Sequence, residues 1–330
     1  MKMIGCYLTG ILPRPEKLVE ATRAYDRGRL DEAKLEKAFR DASLKAVNAQ
    51  LSAGLSVVTD GMLRWQDLLR PFSENLDGVK TGSLARWFNN NTFFRKPVII
   101  GDIERKRSIV KSMTFTSFLP RNVPWKAVLP APYTFVQLSE NQFYKTKEEF
   151  MFRYAEILRE EIKDLAEMGF EYVQLSDPSL VHHPNAVSVS KEELDTTRKA
   201  LEIAVKGIRI KTCLHTFFGD FSQILPDALD FPVDQLGIDL YETNFKKLKG
   251  QNLEKGVALG LVDARSSLIE NPDELVKVSR EILNSVYSSK IGDVFVCPNC
   301  DLEFLPWKIA EKKMRVIGSV ANLLREEFHE

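Results

Sequence analysis

Short aliphatic and β-branched runs recur along the chain, each closing on a polar side chain. Most are followed by a stretch whose apolar residues stand three and four apart, the spacing of an amphipathic helix. The runs fall at 2–8 (KMIGCYL), 55–61 (LSVVTDG), 125–132 (WKAVLPAP), 171–178 (EYVQLSDP), 209–219 (RIKTCLHTFFG), 235–244 (QLGIDLYETN), 255–263 (KGVALGLVD) and 293–300 (DVFVCPNC). Helical patterns occupy 31–54, 147–169, 191–208, 271–289 and 306–328. Sequential strand-then-helix units imply a parallel sheet covered on both faces, and eight of them predict an α/β protein with a (β/α)8 TIM barrel spanning 1–330 as one domain. A doubly wound open sheet uses the same units. Eight units favour the barrel, and no G-x-G-x-x-G turn follows the first run to suggest a dinucleotide site.

One segment interrupts the rhythm. An insertion of about 73–124 separates the second and third runs. Within it, the apolar stretches of 96–120 flank a charged turn and predict a β-hairpin arm beside the barrel mouth, suited to a functional or an oligomer contact.

In a barrel, chemistry sits at the C-terminal ends of the strands. Those ends carry Cys6, Asp60, Asp177, His215, Glu242, Asp263 and Cys300. An imidazole, a carboxylate and a thiolate are good zinc donors, which singles out His215, Glu242 and Cys300 as candidate metal ligands. Each also has a plain structural reading: a hydrogen-bonded histidine, a carboxylate capping the next segment, and a small buried thiol. Cys297 and Cys300 are spaced C-x-x-C. They lack the second pair a zinc ribbon needs and the helix start a thioredoxin-type redox pair uses, leaving one or both for a site shared with other strands. His182 and His183 read as solvated loop residues and His329 as a tail residue.

Composition narrows the function classes. Lys plus Arg and Asp plus Glu both number 46, and the pI is about 6.9. A nucleic-acid binder would show a basic excess, so none is expected as partner. No run approaches the roughly 18 apolar residues of a membrane span, and the start is broken by prolines too early for a signal peptide. Four cysteines in 330 residues fit a reducing, cytoplasmic setting.

Six stretches, in order, resemble one family. MIGCYLTGILPRP (3–15) is similar to the opening Ile-Gly-Ser-x-Pro strand of the catalytic barrel of cobalamin-independent methionine synthase, in the superfamily that includes uroporphyrinogen decarboxylase. VVTDGMLRWQDLLRPF resembles its His-Gly-Glu-x-x-Arg-Asn-Asp-Met, VLPAPYTF its Thr-Gly-Pro-Val-Thr, YVQLSDPSL its Gln-x-Asp-Glu-Pro-Ala, LYETN its Ile-Glu-Thr-Ser, and VCPNCDL its Asn-Pro-Asp-Cys-Gly-Leu. The resemblance implies a zinc-dependent transfer of a methyl group, from methyltetrahydrofolate or a corrinoid carrier, to a thiol such as homocysteine. It implies one zinc per chain on His215, Glu242 and Cys300. The family's remaining cysteine ligand is Phe217 here, leaving Cys213, Cys297, water or the substrate sulfur for that position. It places Asp177, Asp263 and Arg265 in catalysis and Ile4, Gly5, Cys6, Asp60, Met62 and Ser176 around the substrate. Met62 replaces a glutamate, Ser176 an aspartate, and Arg265 a histidine of the family pattern. Partners implied are the small-molecule thiol and methyl donor, with a separate subunit or corrinoid protein, and an oligomer, as further options. The alternatives are a barrel acting on another substrate, or a non-catalytic paralogue.

Overall fold

A computed structural model describes residues 3–88, 90–117, 119–183, 188–251, 253–285 and 292–328; His329 lies outside them. The chain runs β1 (Ile4–Cys6), α1 (Glu16–Asp26), α2 (Glu32–Ser52), α3 (Arg70–Asn75), β2 (Leu76–Arg86), β3 (Phe93–Arg105), α4 (Ile109–Met113), β4 (Lys126–Pro130), α5 (Pro132–Leu138), β5 (Glu140–Asn141) and α6 (Lys147–Glu167). It continues through β6 (Tyr172–Ser176), α7 (Lys191–Val205), β7 (Lys211–Thr216), β8 (Gln235–Asp239), β9 (Gly256–Val262), α8 (Pro272–Ser285), β10 (Val294–Pro298) and α9 (Trp307–Phe328).

The main sheet is parallel, in the order β1-β10-β9-β8-β7-β6-β4. Its two edges are joined by the second sequence run, which forms one bridge, Val58 to Trp125, rather than a full strand. Backbone N–H groups of Ser56 and Val57 donate to Cys6 O, and Val58 O accepts from Lys126 N at 2.8 Å. The ring therefore closes. The run stops short because Gly61 turns at φ +86 and the Asp60 carboxylate folds back onto the Met62 N–H at 2.9 Å.

Strands buried on both faces read as near-continuous apolar stretches, as β9 and β10 do. Inside the ring lies a small cluster of Tyr7, Val57, Tyr172, Cys213, Ala258, Phe295 and Cys297. Outside it, the helices bury a much larger one. The helix starts follow capping chemistry: Asp31 accepts from Lys34 N ahead of α2, Thr146 from Glu149 N ahead of α6, and Ser190 with Glu193 forms a capping box on α7.

The arm differs from the sequence expectation. Its antiparallel pair is β2 with β3, so 96–120 supplies one strand and the short α4 rather than both strands. The stretch LDGVKTGSLAR carries polar residues and two glycines, so no apolar alternation marks it as a strand. The second apolar stretch turns helical because Ser108 caps it and the buried Glu161 carboxylate accepts the N–H groups of Ile109 (3.0 Å) and Val110 (2.8 Å). Among the described residues, no helix is long and apolar enough to cross a membrane.

Candidate active site

Strand register sorts the inward side chains into layers. Gln174, Cys213 and Gln235 align across β6, β7 and β8, and one step higher Ser176, His215 and Gly237 align. Cys213 and His215 thus share a face two residues apart. Cys213 lies in the barrel interior, with Tyr7 Oη 3.7 Å from its sulfur, while His215 is nearer the mouth. Gly237 makes room for the imidazole, since a Cβ there would overlap the His215 ring.

His215 is fully buried, and its ring Nε2 lies 3.3 Å from Asn299 O. Its Nδ1 has no hydrogen-bond partner. Burial, then the Lys126 charge, lowers its pKa to about 3, so the ring is neutral at ordinary pH. Cys300, next to Asn299 in the chain, is also buried, and Thr9 Oγ1 donates to its carbonyl at 2.6 Å. Burial, followed by the charges of Asp239 and Asp301, pushes the Cys300 thiol up, against a smaller opposing effect of Arg265. A thiolate here needs a nearby cation.

Glu242 stands apart from these two. It lies beyond the end of β8, is exposed, and its carboxylate accepts from Arg265 Nη1 at 2.7 Å. The carboxylate at the strand end itself is Asp239, fully buried, accepting from the N–H groups of Phe218 (3.1 Å), Tyr241 (3.0 Å) and Glu242 (3.3 Å). Burial raises its pKa to about 6. Asp239 was not singled out in the sequence because the run appeared to continue to Asn244. Phe217 is buried and tilted against His215, with ring centroids 5.9 Å apart. Cys297 belongs to the barrel interior.

The other predicted residues divide between open and committed groups. Asp177, at the end of β6, accepts at one oxygen from Thr134 N (2.9 Å) and Thr134 Oγ1 (2.6 Å), while Oδ2 has no partner. Burial raises this carboxyl to about 7 despite those bonds. Ser176 Oγ accepts from Gln174 Nε2 at 2.9 Å. Asp263 Oδ1 accepts from Arg265 N at 3.0 Å, with Arg265 Nε 3.5 Å away. Asp60 is taken up by the backbone N–H groups of Met62 and Phe115 (3.1 Å), and Met62 is buried at φ 53.

Ile4, Gly5 and Cys6 form β1 itself, and the Ile4 and Cys6 side chains pack in the outer cluster. Cys6 Sγ lies 3.5 Å from Gly54 O. Past β1, Thr9 O accepts from Gln174 Nε2 at 2.6 Å. His182 and His183 are partly buried, their ring nitrogens 3.0 Å from Phe218 O and Leu180 O, so neither is simply solvated.

The donor set bears on zinc as follows. The orphaned ring nitrogen of His215 and the Cys300 thiol, which burial first and then carboxylates hold protonated, both suit a divalent cation. Glu242 completes the set only by leaving Arg265. Among the described residues, no three His, Cys, Asp or Glu side chains are placed to hold a metal ion in the present arrangement.

A closed parallel barrel with the unsatisfied Asp177 Oδ2 and His215 Nδ1 at its C-terminal strand ends defines the class: a (β/α)8 barrel of the enzyme type. The catalytic-domain family described as cobalamin-independent synthase matches residues 4–323. A methionine synthase of Saccharolobus solfataricus is 30% identical over 99% of this chain and 97% of its own length. One of Sulfurisphaera tokodaii is 29% identical over 97% of this chain and 92% of its own. A B12-independent methionine synthase of Shewanella sp. W3-18-1, solved in complex with selenomethionine, superposes with a TM-score of 0.82 at 22% identity, covering 99% of both chains. The chain belongs to the cobalamin-independent methionine synthase family, and with it to the methyltransferase enzymes.

Proposed function

We propose that the chain, 1–330 as one barrel domain with an arm within 73–124, transfers a methyl group to a thiol such as homocysteine, from methyltetrahydrofolate or a corrinoid carrier. The observation that carries this reading is the buried His215 ring, its Nε2 at Asn299 O, with the buried Cys300 next to Asn299 in the chain of a family barrel. His215, Cys300 and, once released from Arg265, Glu242 would hold one zinc ion. Bound zinc lowers a thiol's pKa, so that a thiolate nucleophile exists at neutral pH.

The chain's own residues supply the rest. Burial keeps His215 neutral and its Nδ1 free to act as a donor atom. Asp177, with one oxygen fixed by Thr134 and the other unpaired, offers an acceptor for an amino group of the substrate. Ile4, Gly5 and Cys6 of β1 would offer backbone contacts to the substrate, with the segment that follows them, through Thr9, lining the same side. Asp263 and Arg265 present a fixed charge pair there, and a guanidinium suits a substrate carboxylate. Asp60, Met62 and Ser176 shape the wall, through backbone and side-chain bonds already made. A cytoplasmic setting accords with a biosynthetic enzyme.

Elemental analysis of protein equilibrated with zinc tests the metal half of this reading. About one zinc per chain is expected in the wild type and a loss of most of it in Cys300→Ser. Equal zinc in both would remove Cys300 from the site.

A further inference from the structure

Asn299 stands just past β10 and is fully buried. Each of its polar groups is engaged. Its N–H donates to Val262 O at 2.9 Å, its Oδ1 accepts from Ala264 N at 2.9 Å, and its Nδ2 donates to Asp263 Oδ1 at 3.3 Å. Its carbonyl faces His215 Nε2, also at 3.3 Å. The first three partners belong to β9 and the turn after it, and the fourth to β7. Gly260 on β9 permits the close approach, since a Cβ there would overlap the Asn299 backbone.

The amide can sit only one way round. The Ala264 N–H needs the oxygen, and the Asp263 carboxylate needs the NH2 group. Aspartate, which the resembled family motif carries at this position, would as a carboxylate give no hydrogen to Asp263. At the other end, a carbonyl only accepts, so His215 Nε2 carries the ring proton and Nδ1 is the bare nitrogen. Nδ1 lies over Gly237, which has no side chain to cover it. At 3.3 Å the ring bond is at the long end of the usual range, so a small displacement of the carbonyl loses it. The side-chain ties to Ala264 and Asp263 hold that carbonyl in place.

We infer that Asn299 is a positioning residue for His215: its amide, tied to the turn after β9, fixes its carbonyl against Nε2 and commits the ring to the tautomer that offers Nδ1 as donor atom. Its use to the site rests on the reading of His215 as a metal ligand, because the hydrogen bond at one ring nitrogen decides which nitrogen a metal can take.

The experiment is nitrogen-15 NMR of the imidazole rings in the full chain, freed of metal by chelation, at neutral pH, for wild type, Asn299→Leu and Asn299→Ala. A protonated ring nitrogen and a bare one resonate far apart, so the spectrum reads the tautomer directly. The chain has four histidines, and His182 and His183, held by the carbonyls of Phe218 and Leu180, serve as internal controls. Wild-type His215 should show Nε2 protonated and Nδ1 bare. In both variants the two His215 signals should move toward each other as the tautomers interchange, while the control rings stay in place. Zinc affinity, measured separately by competition with a chromophoric chelator, should fall by about tenfold or more in each variant. Asn299→Ala adds no bulk, so it keeps the test open if Asn299→Leu fails to fold. The proposal is overturned if wild-type His215 carries its proton on Nδ1, if Asn299→Ala keeps the wild-type tautomer, or if the control rings move with His215. A wild type that shows the tautomer, and loses it in the variants, but takes up no zinc supports the positioning role and removes the metal reading alone.

Discussion

Replacing Lys126 by Met is expected to destabilise the barrel by about 3 kcal/mol, although Met matches the length of the lysine stem. Lys126 is 1% exposed at the start of β4, and its Nζ donates to Leu8 O (2.7 Å) and Gln174 Oε1 (2.6 Å). It also lies 3.4 Å from the centre of the Tyr7 ring, a cation–π arrangement. Met supplies no donor, so a buried carbonyl and a buried amide oxygen lose their partner, and only part of that cost is offset by removing a buried charge. Burial lowers the lysine's pKa to about 8, below the unfolded 10.5. Between those values the unfolded chain binds more protons than the folded one, so this group makes stability rise with pH from about 8 to about 10.5. Urea unfolding of wild type and Lys126→Met across that range checks both points. The variant should start less stable at neutral pH and lack the rise.

Replacing Arg265 by Ala is expected to tighten metal binding by about thirtyfold in Kd, roughly 2 kcal/mol. The guanidinium holds Glu242 at 2.7 Å and lies 3.5 Å from Asp263, so it already neutralises the carboxylate of the proposed zinc site. Its positive charge also opposes a second cation close by. Titration with cobalt(II), followed by the thiolate-to-metal absorption band, reads affinity and sulfur ligation together. Adding Glu242→Gln to Arg265→Ala should remove the gain. An unchanged affinity in Arg265→Ala would mean that Glu242 and the metal never compete for the same partner.

Much of the architecture is legible in the chain because each βα unit writes its period into its residues. β4, β6, β7, β8, β9 and β10 fall within the apolar runs, and α2, α6, α7, α8 and α9 within the periodic stretches. Misplacements occur where periodicity carries no height. Alternation tells which side of a strand faces the lumen but not where the strand stops, so the end of β8 at Asp239, three residues before Glu242, was not legible. The arm's first strand spaces its few apolar residues among glycines and polar ones and was invisible to an apolar criterion. Lys126 acquires meaning only from neighbours distant in sequence, Leu8 and Gln174. Cys300 was legible for a different reason, since a thiol at a strand end beside a family motif needs no long-range contact to be noticed.

Incubating the zinc-loaded protein with homocysteine and either methyltetrahydrofolate or methylcobalamin, and following the thiol product by mass spectrometry, tests the proposed function most directly. Methionine should accumulate with at least one donor and fall by about a thousandfold in His215→Ala, as expected when a ligand of the ion that activates the thiol is removed. Absence of methylated thiol with both donors, from protein shown to carry its zinc, would contradict thiol methyl transfer at this site.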